Sequence, residues 1–290
     1  MEPLRPTAYA PYRDPRDYIL SWTAVIWIDR AIGRLADHYG REVEVHTAYG
    51  ETYDFDTVIS NSVQKFAAFP SGGGGHGEDV VWEQRGENGF ISSHRVLKTG
   101  THTGYWTYGP PTGRAFVSRT VAHCLVRDNR IVAEWLVRDE FAVLESLGLD
   151  PYAVASELAA RSPATATAML AAPATGAFAG RIADPFAHGI SGARPARNRA
   201  ECDLVLGLFE EVWNGRRFDL VTKYVSERIV CHTVRMRRVQ NITPYQMEII
   251  NLLASFPDGR IEVRDIVVNE STELGTRIAV IWVLRGSYRG

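Results

Sequence analysis

The residue that most invites chemistry is Asp139. Alternation along 130–139 sets Ile131, Ala133, Trp135, Val137 and Asp139 on one strand face, so a carboxylate ends an apolar row. Such a carboxylate is expected at the wall or mouth of a pocket, where loss of water raises its pKa and suits it to general acid/base work. The competing role is structural, because Asp139 precedes EFAVLESL and is equally placed to cap a helix. His94, in SSHRV, puts an imidazole on an otherwise apolar face and is the second candidate, against the plainer reading of a hydrogen-bonded core histidine. His102, in GTHTG, completes the expected catalytic set. His46, Trp27, Trp82, Trp106, Tyr108, His123 and Trp135 are the expected pocket lining, a role that ordinary core packing of large rings also explains. There is no H-x-x-x-H or C-x-x-C pattern, so no metal site is expected. The glycine run at 72–75 is not followed by Lys-Ser/Thr and reads as a loop over the pocket rather than a phosphate cradle. No cofactor is expected.

Helices followed by strands must position these groups. Asp14 then Pro15 reads as N-cap then first helical residue, opening a helix, or two short ones, over 15–39. A second helix is expected over about 56–68. Period-two, β-branched segments follow at 79–85, 90–99, 114–127 and 130–138. Further on, Thr243 to Gln246 reads as a capping box opening a helix, FPDG as its terminating turn, and 260–268 and 276–285 as strands. Helices first and adjacent strands after them imply an α+β class, with helices on one face of a strongly curved antiparallel sheet that makes a cone with an apolar interior.

The pattern is written twice. Trp27 matches Trp213, His46-Thr47 matches His232-Thr233, Asp79 matches Asp265, and Gly100 and Gly104 match Gly286 and Gly290, each 186 positions apart. The chain therefore reads as a first copy over 13–161, an Ala/Gly/Pro-rich linker over 162–196, and a second copy over 197–290 that stops before its last strands. On this register the sequence is expected to be a fragment.

The 290 residues carry 32 Lys+Arg against 34 Asp+Glu, a net charge of −2, which removes the electrostatic footprint of a protein devoted to nucleic acid. No apolar run approaches the roughly 18 residues that span a bilayer, and the N-terminus has no apolar signal core. Cys124, Cys202 and Cys231 give no disulfide framework and fit a reducing compartment. A cytoplasmic protein with no nucleic-acid or membrane partner is expected.

The first copy also carries FP at 69–70, DVVW at 79–82, GTHTG at 100–104, GPPTGR at 109–114, EWLVRD at 134–139 and LESLG at 144–148. In this order they resemble the SnoaL-like polyketide cyclase family of the nuclear transport factor 2-like superfamily. The second copy resembles it from VWNGR through FPDGR and RIAVIWVLRG to GSYRG. The resemblance implies two cone-shaped α+β barrel domains, and it carries the family's acid/base aspartate onto Asp139. The reaction expected is enolate-forming cyclisation, isomerisation or dehydration of a small, partly apolar carbonyl compound, with Asp139 as base and His94, His102 or a Tyr or Trp side chain steadying the enolate. The alternative is a binding or oligomerisation module of the same fold, with the copies pairing inside the chain or in a homo-oligomer.

Overall fold

The computed structural model describes residues 3–47, 50–72, 75–161, 199–271 and 273–289. The chain divides into two compact units, Met1–His188 and Gly189–Gly290. The linker expected over 162–196 lies outside the described residues.

In the first unit, α1 (Pro15–Thr23) begins where an extended Asp14 meets Pro15, and Asp14 Oδ1 accepts from the Asp17 amide at 2.7 Å. A π-helical stretch, Ala24–Ile28, and a 3₁₀ stretch, Ile32–Asp37, carry the chain into β1 (Tyr39–Thr47) and β2 (Gly50–Thr52). Of the two readings of 15–39, the one with two short helical pieces is formed, while β1 and β2 are strands that periodicity did not reveal. Next comes α2 (Phe55–Ala68), capped by Asp54, whose Oδ1 accepts from Thr57 N at 2.7 Å. The strands β3 (Gly75–Gln84), β4 (Gly89–Thr101), β5 (Ala115–Arg127) and β6 (Arg130–Arg138) follow, then α3 (Glu140–Leu147) and α4 (Pro151–Arg161).

The class is α+β, but the sheet differs from expectation. Its order is β2-β1-β6-β5-β4-β3, and it is mixed rather than antiparallel because β1 runs parallel to β6. A connection through α2 and four strands separates β1 from β6, long enough to return the chain in either direction. No pairing among the described strands joins β2 to β3, so the sheet is open and not a closed barrel. Tyr18, Ile19, Trp22 and Ile26 pack on Val43, Val80, Phe90, Cys124, Val126 and Ile131 from the sheet. A second cluster places Val143, Leu144 and Leu147 of α3 on Phe69 and Phe116.

The GTHTG segment crosses the end of α2. Thr103 N and Gly104 N both donate to Ala68 O at 3.1 Å, and a Cβ on Gly104 would lie 2.2 Å from Ala67 O. Only glycine allows that approach.

In the second unit, α5 (Ala200–Gly207) runs into a π-helical stretch, Leu208–Asn214, then α6 (Val221–Tyr224). A short hairpin, β7 (Val230–His232) with β8 (Arg238–Gln240), precedes α7 (Ile242–Ser255) and a long hairpin, β9 (Arg260–Ser271) with β10 (Gly275–Arg285). Ile261, Ile266 and Val268 of β9 pack on Cys202, Val205 and Phe209. The expected capping box is not formed. The helix starts at Ile242, before Thr243, and Gln246 Nε2 donates to Phe218 O at 2.7 Å instead of reaching back to the cap. Both long hairpins carry a bulge just before the shared aspartate. Glu78 is the extra residue on β3 and Arg264 the extra residue on β9, 186 positions apart.

Candidate active site

The β5–β6 hairpin decides which side chains face the helices. Val126 pairs with Ile131 but Leu125 pairs with Ala133, so Val132 is an extra residue on β6. Ile131 points into the core, yet beyond the bulge the parity reverses and Glu134, Leu136 and Arg138 take the inward face. Ala133, Trp135 and Val137 therefore turn to the opposite face. This corrects the unbroken alternation that put Trp135, Val137 and Asp139 in the pocket.

The inward face of the sheet, with α2, α3 and the π-helical stretch, encloses a cavity of about 400 Å³, a volume suited to a small organic molecule. His94, Val96 and Lys98 line it from β4; Phe116, Ser118, Thr120 and Ala122 from β5; Glu134, Leu136 and Arg138 from β6. Tyr39, Lys65 and Trp27 close it from β1, α2 and the π-helical stretch.

Glu134 is only 8% exposed. The Tyr39 hydroxyl donates to its Oε2 at 3.1 Å, and the Cys124 thiol, across the strand pair, lies 3.7 Å from Oε1 as a weak donor. Burial pushes the Glu134 carboxyl above the usual carboxylate range, although Arg138, Tyr39, Lys98 and Cys124 all pull it back down. The same burial, with Glu134 beside them, raises the Tyr39 phenol and the Cys124 thiol. His94 has no partner for its buried Nδ1, and burial with Lys98 and His123 nearby lowers its pKa to about 4, so the ring is neutral near pH 7. Both lysines are depressed mainly by burial: Lys65 to about 8, and Lys98 well below the ordinary lysine value.

Of the expected catalytic set, only His94 lines this cavity. Asp139 sits between two lining residues, Arg138 and Glu140, but is not one itself. Its Oδ1 accepts from Ala142 N at 3.1 Å and caps α3. His102 is fully buried in the β4–β5 connection, where its Nδ1 lies 3.3 Å from both Thr112 N and Thr112 Oγ1. Those contacts and the exchange of backbone bonds with Arg114 and Gly113 make it a brace for that connection.

Among the expected lining residues, Trp27 and Trp106 are present in the wall. Trp82 packs at the edge of the main core, and Tyr108 donates its hydroxyl to Glu140 Oε2. His46, Trp135 and His123 form a row on the far face of the sheet, with His46 stacked on Trp135 at 5.3 Å and His123 edge-on to it at 5.8 Å. Sequence reading missed Glu134, Tyr39, Arg138, Lys65 and Lys98. The two lysines had a signal, their rarity in the chain, whereas Glu134 was hidden by the bulge. Among the described residues, no three His, Cys, Asp or Glu side chains gather as metal ligands. Nor is any helix long and apolar enough to cross a membrane.

No family model matches the sequence, and no curated protein is significantly similar to it. Solved structures of SnoaL-like polyketide cyclases are similar, each spanning about 45% of this chain. One, from Agrobacterium tumefaciens, is 18% identical over 44% of this chain and 97% of its own, with a TM-score of 0.36. IdmH from Streptomyces antibioticus is 24% identical over 44% of this chain and 98% of its own, with a TM-score of 0.37. AclR from Streptomyces galilaeus, described as a hydroxylase, is also similar, 18% identical over 45% of this chain and 93% of its own, with a TM-score of 0.39.

Proposed function

We propose that the first unit binds a small, partly apolar carbonyl compound and enolises it by general acid/base catalysis. One observation carries this reading: a carboxyl group, Glu134, buried in the wall of a cavity with its pKa raised, where the neutral imidazole of His94 lines the same cavity. In its ionised form Glu134 removes the proton alpha to the carbonyl. His94, with a ring nitrogen unpartnered, donates to the oxygen on which charge develops. Cyclisation, isomerisation and dehydration share this first step. The base is thereby Glu134, five residues before Asp139.

The test is deuterium exchange at the alpha carbons of small ketones in D₂O, followed by NMR. Glu134→Gln is expected to slow exchange by about 10² to 10⁴-fold with the near-ultraviolet circular dichroism unchanged. An exchange rate that the substitution leaves intact removes Glu134 as base. The binding-module reading is favoured by one feature, the commitment of Asp139 to a helix cap. It prevails if ketones bind the wild-type protein without exchange.

The second unit is proposed as a further copy of the first. The order helix, π-helical stretch, short hairpin, 14-residue helix, long hairpin recurs in both units, as do the paired bulges at Glu78 and Arg264.

A further inference from the structure

Of the 32 Lys+Arg residues only three are lysines: Lys65, Lys98 and Lys223. Two of these three meet in the cavity, Lys65 from α2 and Lys98 from β4. Where a fixed positive charge suffices this chain uses arginine. A pair of lysines in one hollow therefore points to what an amine does and a guanidinium does not, which is to lose a proton and attack carbon.

Lys98 is 6% exposed, with its Nζ 4.7 Å from the centroid of Trp27; Lys65 Nζ lies 5.5 Å from the same ring. Among the described residues no carboxylate is within salt-bridge distance of Lys98. The charged and titratable groups around it are Lys65 from α2, Arg138 and Glu134 from β6 and His94 from its own strand. Burial, then Lys65, then Arg138 disfavour its ammonium form, and Glu134 alone opposes them. Arg138 also lines the cavity, and its Nε is buried without a partner.

We propose that Lys98 is an imine-forming nucleophile for a small oxo acid whose carboxylate pairs with Arg138. This rests on the reading that the cavity takes carbonyl compounds, and adds a covalent step. The neutral Lys98 Nζ forms a bond to the carbonyl carbon, and the π pair moves to oxygen. The oxygen takes up the proton given up by nitrogen, leaving a carbinolamine. Protonation of the hydroxyl by the Glu134 carboxyl releases water and leaves an iminium. The Glu134 carboxylate so formed then removes the alpha proton to give the enamine. Hydrolysis consumes one water and restores the amine and a carbonyl compound.

The experiment incubates the full-length protein with acetoacetate and cyanoborohydride and maps the reduced adduct by peptide mass spectrometry. The exposed Lys223, ion-paired with Glu211, serves as internal control. Lys98 is expected to label about 100-fold faster than Lys223 at neutral pH, and the advantage to vanish in guanidinium chloride. Equal rates, labelling at Lys65 instead, or an advantage that survives denaturant overturns the proposal. Loss of the Arg138 charge also lets the Lys98 pKa rise, so Arg138→Gln is expected to slow labelling by both reagents, and to slow acetoacetate about tenfold more than the neutral 2,4-pentanedione. Any other pattern removes the carboxylate contact. Absence of label on Lys98 with Glu134-dependent exchange intact defeats the amine and spares the acid/base reading. Label on Lys98 without exchange of any ketone does the reverse.

Discussion

A buried carboxyl group titrates according to the donors that reach it, and Glu134 has two identified here, the Tyr39 hydroxyl and the Cys124 thiol. Both stabilise its charged form against burial. Tyr39→Phe removes the stronger donor, so the Glu134 pKa is expected to rise. A base is active when ionised, so the limb of the pH–rate profile on which activity grows with pH is expected to move to higher pH in this variant, as measured by ketone exchange. A profile that stays in place would mean that Glu134 does not set it. None of these contacts was legible in the sequence. Tyr39, Cys124 and Glu134 are separated by 85 and 10 residues, and only strand register brings them together.

Helix α3 shows how one residue can satisfy two sequence readings and be assigned by packing. Asp139 occupies the cap position and makes the cap hydrogen bond, while Arg138 and Glu140 on either side of it face the cavity. Asn caps a helix about as well as Asp, and Ala does not. Asp139→Asn is therefore expected to keep both stability and ketone exchange. Asp139→Ala is expected to lose about 1 kcal/mol in a urea titration and still exchange. If Asn at this position abolished exchange, the base would be Asp139 after all. The cap at Asp14, the strand segments β3 to β6 and the 14-residue α2 were all readable, because each depends on residues within one turn or one pleat of each other. The mixed sheet was not, because β1 finds its partner β6 across the whole helix and meander.

At the scale of the whole molecule, the buried His94 links folding to pH. Its pKa falls from 6.5 to about 4 on folding, so the unfolded chain takes up the proton first as the solution is acidified. Its contribution is fully present above about pH 6.5 and is lost as pH falls toward 4. That loss is about 3 kcal/mol for a shift of this size. His94→Leu is expected to lack it: between pH 7 and pH 4 its urea midpoint should fall less than that of the wild type. An identical fall in both would place the acid sensitivity elsewhere. Lys98 acts in the same direction at higher pH, since its depressed pKa makes stability grow as pH rises toward the ordinary lysine value.

The amino-acid sequence by itself determined the α+β class, the helix start at Asp14, the hairpin strands and the positions that recur 186 residues apart, because these follow from local capping chemistry and short periods. Tertiary structure alone decided which face of β6 looks into the hollow. One extra residue at Val132 exchanged Trp135 for Glu134, and a period-two pattern carries no record of where a bulge interrupts it. It also decided that two of three lysines share one aromatic ring. That meeting is fixed by how α2 and β4 both reach the Trp27 ring of the π-helical stretch, from segments far apart in the chain.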